Sequence, residues 1–233
     1  MIRRAVFWDF DGTAAHTAPD MIAALHKLQS ARGDAPADYD AARARVSGGA
    51  RALLQLAGID ESDPAYDAAR AEFLARYEEG GYGRTVLFSG VKDALRELAA
   101  DGWKWGIATN KPRRYFAQIA ENLGIRVHPE APPNSPPPAS ALVAGDDCAR
   151  GKPSPEMLLL AAKIADAPPR RCIYIGDDRR DAEAARAAGM PFILAAWGYW
   201  PAADWKTAPA AAAIASSPRC IPPLARMLAK DFV

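Results

Sequence analysis

The sequence predicts an α/β fold: a doubly wound, Rossmann-like parallel sheet with an all-helical cap inserted after its first strand. Three observations predict it. Short apolar runs recur and end in polar residues, helical patterns lie between them, and residues 17–84 carry helical spacing alone. Strand and helix in alternation mean parallel strands joined by crossover helices. The 233 residues suffice for such a core plus a modest insert.

The first apolar run, residues 5–10, carries Asp9 and leads into Asp11. The insert follows, with helical spacing at Met21, Leu25 and Leu28, at Leu53, Leu54 and Ala57, and at Tyr66, Phe73 and Tyr77. The cluster Gly80-Gly-Tyr-Gly83 ends it, so the core is read as residues 1–16 and 85–233 and the cap as 17–84. The alternative for these helices is simple packing on the sheet. Alternation then resumes, with helices over 91–100, 112–123, 155–165 and 178–188. Strands over 103–108, 141–144, 172–175 and 191–197 run into Thr109-Asn110, Asp146, Asp177 and Gly198-Tyr199. Residues 128–138 are proline-dense and read as a stiff surface loop. In a parallel sheet, ligands bind where the carboxyl ends of the strands emerge. Four of these five runs place polar groups there.

Composition excludes several classes of function. A formal net charge of +1 argues against broad binding to nucleic acid or to an anionic membrane. No stretch approaches the ~20 apolar residues of a membrane span. Met1-Ile-Arg-Arg runs into a strand and not a signal peptide, so a cytoplasmic protein is expected. Cys148, Cys172 and Cys220 are odd in number and far apart, and read as reduced thiols.

The chemistry-bearing residues come in a specific order. Asp9 and Asp11 end an apolar run in Asp9-Phe-Asp-Gly-Thr13, and two carboxylates there need compensation, usually by a cation. A calcium loop counted from Asp9 would need Gly at its sixth position and Glu at its twelfth, where Ala14 and Asp20 stand. Thr109 and Asn110 suit a phosphate oxygen or an ordinary helix cap. Lys152, flanked by prolines in Gly151-Lys-Pro-Ser-Pro155, can offset negative charge or lie on the surface. Asp177 and Asp181 fall around the first turn of a helix and suit either its dipole or a divalent metal. Together they match the inventory of phosphoryl transfer: nucleophile, metal, anion holder and general acid/base.

On these residues the chain resembles the haloacid dehalogenase-like superfamily, in particular its phosphatases with a small helical cap. The resemblance rests on Asp9-Phe-Asp-Gly-Thr13, Thr109-Asn110, Lys152 and Gly176-Asp-Asp-Arg-Arg-Asp181, and extends over nearly the whole chain. Val46-Ser-Gly-Gly-Ala50, Ala184-Ala-Arg-Ala-Ala-Gly-Met190 and Trp197-Gly-Tyr199 are most similar to the family's bacterial phosphoglycolate phosphatases. The resemblance implies that Asp9 attacks phosphorus and that Asp11 protonates the leaving oxygen, then activates water. It implies magnesium held by Asp9, the Asp11 carbonyl and Asp177, and phosphate held by Thr109 and the Asn110 amide. Lys152 would neutralise charge, with Asp181 supporting Lys152 or the metal's waters, and Asp178 would be a helix-start acid. The implied partner is a small phosphorylated metabolite, 2-phosphoglycolate first, and a monomer or homodimer is expected.

Recognition is expected from the cap. Ser47, Gly48 and Gly49 could present backbone amides, and Arg43, Arg45 or Arg51 could pair with a substrate carboxylate. Ala14-Ala-His16 departs from the family's usual apolar-and-acid continuation, and His16 is expected at the hinge, cap-packed or facing the substrate. Trp8, Trp103, Trp105 and Trp205 read as packing residues, whereas Trp197, Tyr199 and Trp200 could reach the rim. Alternatives are a phosphatase or phosphomutase of another metabolite such as a sugar phosphate, or a receiver-type signalling domain. A phosphonate hydrolase is disfavoured because Lys27 is the only lysine of the insert.

Overall fold

The computed structural model describes residues 3–128, 134–207 and 211–232. Strand β1 (Ala5–Trp8) is buried along its whole length. Its side chains alternate between two cores: Val6 and Trp8 pack on one face of the sheet, Ala5 and Phe7 on the other. β1 pairs in parallel with β4 (Lys104–Ala108) and with β6 (Cys172–Gly176), Trp8 lying opposite Ile107 and Ile175. β5 (Ala141–Val143), β7 (Phe192–Ala195) and β8 (Ala213–Ala215) complete a six-stranded sheet of order β5-β4-β1-β6-β7-β8. The chain winds outward from β1 through β4 to β5, then returns to β6 on the other side of β1. The strand order therefore reverses between β1 and β6, and a crevice opens at their carboxyl ends.

The expected runs become these strands with no boundary shifted by more than two residues. β8 has no counterpart among them. Neither does a two-residue antiparallel pair, β2 (Ala15–His16) with β3 (Val86–Leu87), which brackets the insert. The insert holds α1 (Ala18–Ala31), α2 (Tyr39–Arg43), α3 (Gly49–Leu56) and α4 (Tyr66–Glu79). Leu25, Leu28, Leu53, Leu54 and Phe73 are fully buried there, each contributing about 1.5–3 kcal/mol of burial free energy. The buried Asp20 of α1 accepts from Thr85 Oγ1 (2.7 Å), fastening the return segment beside the outgoing one.

Crossover helices α5 (Val91–Ala100), α6 (Arg113–Asn122), α7 (Glu156–Ile164) and α8 (Arg179–Ala187) follow the expected pattern. α9 (Ile221–Leu228) packs near the carboxyl terminus. Of the proline-dense loop, residues 129–133 lie outside the described residues. Among the described residues no helix is long and apolar enough to cross a membrane, and the three cysteines are free.

Candidate active site

Asp9 follows β1 directly and is fixed by its own N–H, which donates to Ile175 O of β6 (2.8 Å). The chain then turns through Gly12 at φ +84°, a conformation that favours glycine; a Cβ there would also overlap the Asp177 carboxylate. This close approach lets the loop after β1 touch the loop after β6. Thr13 Oγ1 donates to Asp177 Oδ1 (2.8 Å), and Tyr199 N donates to Asp177 Oδ2 (2.7 Å).

Lys152 reaches the same point from the loop before α7. Its ammonium lies 2.7 Å from Asp9 Oδ1 and 2.7 Å from Asp181 Oδ1, and donates to Tyr174 Oη (2.8 Å). All three contacts converge on the one ammonium. Asn110 clamps the Lys152 backbone, accepting from Lys152 N at Oδ1 (2.7 Å) and donating from Nδ2 to Lys152 O (3.1 Å). With the side chain committed in this way, Asn110 has its backbone N–H left to offer an anion. Thr109 is buried at the end of β4, on the rim of the same crevice. Asp181 Oδ2 accepts from the N–H groups of Asp177 (3.1 Å) and Asp178 (3.0 Å), so it braces the loop and Lys152 together. Asp178 caps α8, as the helix-start reading expects.

One oxygen from each of Asp9, Asp177 and Asp181 lies within 4.8 Å of the others, and all three residues are buried. Burial pushes the Asp177 carboxyl well above the usual carboxylate range, with Asp9 and Asp181 adding like-charge repulsion. Burial also raises Asp9 and Asp181 despite the attraction of Lys152. Burial opposes the charge on Lys152, but Asp181 and Asp9 outweigh it and hold the ammonium protonated. Three buried carboxylates against one ammonium leave negative charge uncompensated, and hard oxygen donors at that spacing fit a hard divalent cation. Asp9, Asp177 and Asp181 are together the side chains that could hold such an ion.

A stability consequence follows for the metal-free protein. A carboxyl whose pKa is raised by folding stabilises the fold below its unfolded value of about 4, and that contribution is lost as pH rises. Any rise in Tm on adding a divalent cation is therefore expected to grow with pH from about 4 toward neutrality. Thermal denaturation with and without Mg²⁺ checks this; a metal effect independent of pH would contradict it.

Above the acids lies a cavity of about 290 Å³ lined by Asp9, Asp11, Thr109, Asn110, Lys152 and Asp181 on the core side. Its opposite wall comes from the insert: Val46–Arg51, Arg70, Phe73, Leu74 and Tyr77. Ser47 Oγ donates to Asp177 Oδ2 (3.2 Å), and Arg180 donates to Ser47 O (2.6 Å), so the insert touches the acid cluster directly.

Several expectations about the insert need correction. Gly48 lines the cavity, but its N–H donates to Arg45 O (2.9 Å), and the N–H of Gly49 donates to Val46 O. The tight turn uses both amides, so neither is presented to a ligand. Arg43 turns away, donating to the carbonyls of Trp197 (3.3 Å) and Gly198 (2.8 Å). Arg51 does line the mouth, paired at 3.5 Å with Glu61, and Arg70 joins it there without having been singled out.

His16 is held by Tyr199 Oη at Nδ1 (3.0 Å) beside Phe88 and does not line the cavity; burial and the nearby Arg43 lower its pKa and keep it neutral. Tyr199 is buried, and Trp197 Nε1 donates to Thr13 O (3.0 Å), so these rings buttress the first loop instead of reaching the rim. Trp8, Trp103 and Trp105 are buried as expected.

Besides Arg70, two functional-looking residues escaped the sequence reading. Tyr174 sits mid-strand in an apolar run, yet its hydroxyl accepts from Lys152 and donates to Ala108 O (2.7 Å). Lys111 is buried, its Nζ 3.1 Å from Asp11 Oδ1. Its adjacency to Thr109-Asn110 was the available signal.

A family model for haloacid dehalogenase-like hydrolases matches residues 3–189. A phosphoglycolate phosphatase of Xanthomonas campestris pv. campestris is 41% identical over 197 residues, covering 84% of both chains. An N-acetylmuramic acid 6-phosphate phosphatase of Pseudomonas aeruginosa is 37% identical over 197 residues, covering 84% of this chain and 83% of that one. Among solved structures, one from Lactobacillus delbrueckii subsp. bulgaricus shares the fold at a TM-score of 0.82 and 20% identity, covering 97% of this chain and 99% of that one. CbbY from Rhodobacter sphaeroides in complex with phosphate has a TM-score of 0.71 at 24% identity, covering 94% and 96%.

Proposed function

The chain belongs to the haloacid dehalogenase-like hydrolases and is a phosphoric monoester hydrolase, and we propose that it cleaves small phosphomonoesters with Mg²⁺ through an aspartyl-phosphate on Asp9. The observation that carries this reading is the convergence of Asp9, Lys152, Asp181 and Asp177 at the strand-order reversal, with Asp9, Lys152 and Asp181 lining one cavity and Asp177 buried behind them. A receiver-type signalling role is set aside, because the family is one of hydrolases.

In this reading Asp9 attacks phosphorus in line with the departing oxygen, and Asp11, two residues on, gives that oxygen its proton. Asp11 then takes a proton from the water that cleaves the aspartyl-phosphate. Thr109 Oγ1 and the Asn110 N–H hold phosphate oxygens, and Lys152 offsets the charge that grows on them. Asp9, Asp177 and the Asp11 backbone carbonyl would hold the cation, which supplies Lewis-acid polarisation of a phosphoryl oxygen. Asp181 keeps Lys152 aimed. Residues 17–84 act as the cap that closes the site and supplies recognition.

2-Phosphoglycolate is the first substrate proposed, from the relatives named for it. A second reading has support of its own. The cavity wall formed by Phe73, Leu74, Tyr77 and Tyr115 is apolar and mostly aromatic. That wall suits a sugar ring, in keeping with the relatives named for N-acetylmuramic acid 6-phosphate. Arg51 and Arg70 at the mouth suit the carboxylate that both acids carry.

Phosphate release across a panel of phosphorylated metabolites separates the two readings. The highest kcat/KM is expected for 2-phosphoglycolate. A clear preference for the sugar acid would favour the second reading, and no preference over unrelated sugar phosphates would defeat both.

A further inference from the structure

Lys111 follows the loop residues Thr109 and Asn110 and is buried, at the wall of the same cavity. Only 5% of that side chain is exposed. Its backbone is fixed on both sides, the N–H donating to Thr109 Oγ1 (3.2 Å) and the carbonyl accepting from Gly145 N (2.9 Å). The ammonium lies 3.1 Å from Asp11 Oδ1, 4.9 Å from the centre of the Tyr77 ring in α4 and 4.0 Å from the Met21 sulfur in α1. No other side chain among the described residues bonds the Asp11 carboxylate. Burying an ammonium is unfavourable unless partners offset it. Here those partners are a core carboxylate on one side and an aromatic ring of the insert on the other.

We propose that Lys111 is the positioning residue for Asp11. By engaging Oδ1 it fixes the carboxyl plane and leaves Oδ2 to face the reacting group. Tyr77 and Met21 clamp the lysine from the insert, which makes the aim of Asp11 depend on the insert being in place. The inference rests on the reading of Asp11 as proton shuttle. In the first step a bond forms between Asp9 and phosphorus, the bond from phosphorus to the leaving oxygen breaks, and the proton of Asp11 passes to that oxygen. Negative charge grows on Asp11 as its proton leaves, beside an ammonium already in position.

A leaving oxygen that departs easily unprotonated needs little help from Asp11, whereas a poor one needs it fully. The test is therefore kcat/KM over a series of substituted phenyl phosphates, from p-nitrophenyl to phenyl, which share shape but differ in leaving ability. This parameter reports the steps through leaving-group departure, before water is activated. For Lys111→Met the loss is expected to be several-fold on p-nitrophenyl phosphate and roughly 10–100-fold on phenyl phosphate, since a misplaced catalytic group can cost ~10²-fold. Lys111→Arg, which keeps the charge, is expected to recover part of the loss. Asp11→Asn should show the steepest dependence of all.

If Lys111→Met loses both substrates in equal proportion, or keeps the dependence of the parent while Asp11→Asn steepens it, the role of Lys111 is refuted and the proposed function stands. If Asp11→Asn itself leaves the dependence unchanged, the proton-shuttle assignment falls, and this inference with it.

Discussion

Asp9→Asn is expected to reduce phosphate release by at least about 10⁴-fold, the scale on which a missing nucleophile is felt. The substitution keeps shape and hydrogen-bonding capacity but removes the attacking oxygen anion. It should not unfold the protein. Burial already disfavours charge on Asp9, so a neutral amide relieves part of that cost. Lys152 keeps Asp181 at 2.7 Å and Tyr174 at 2.8 Å. Steady-state phosphate release and a thermal melt check both halves: the rate collapses while Tm stays near that of the parent. Retention of parental turnover would remove Asp9 from the role of nucleophile.

Lys152→Met is expected to damage both stability and rate. The ammonium is the shared counter-charge of two buried carboxylates, and removing one partner of such a pair costs about 3–5 kcal/mol. The cost depends on pH with a definite sign. Without the lysine, Asp9 and Asp181 hold protons to still higher pH in the folded state. Stability is then retained below about pH 4 and lost as pH rises through the raised folded values. The gap in Tm between parent and variant should therefore widen from acid to neutral pH. Turnover should fall by about 10²–10³-fold, the cost of losing one preorganised charge at the reacting centre. A variant of parental Tm across this range would mean that the carboxylates do not rely on Lys152.

Much of the sheet was legible because its strands end in chemistry. The runs into Asp9, Thr109 and Asp177 are apolar on both faces, as a sheet covered by helices requires, and the polar break marks the carboxyl edge. The helix Val91–Ala100 was expected at those limits, and in the structure Gly90 and Gly102, both at positive φ, flank it.

The segments that escaped did so for physical reasons. β8 is built from Ala213, Ile214 and Ala215, and alanine favours helix, so only pairing with β7 makes it a strand. The pair β2–β3 is too short for any period to show. Spacing could not foretell that the Gly48 and Gly49 amides are spent within their own turn. Nor could it foretell that Lys111, next to a proline and apparently suited to the surface, is drawn inward by Asp11. Tyr174 looked like one more apolar strand residue until its hydroxyl was seen against Lys152. The order of acids, hydroxyl and lysine is thus a property of the sequence, whereas who braces whom is a property of the packing.

The central claim is that Asp9 carries the phosphoryl group during turnover. Rapid acid quench of the enzyme with substrate and Mg²⁺, followed by mass mapping of the peptides, tests it most directly. A single phosphoryl group on Asp9, absent from Asp9→Asn, is the predicted result; phosphate on another residue, or single-turnover hydrolysis with no phosphorylated peptide at any time, would contradict it.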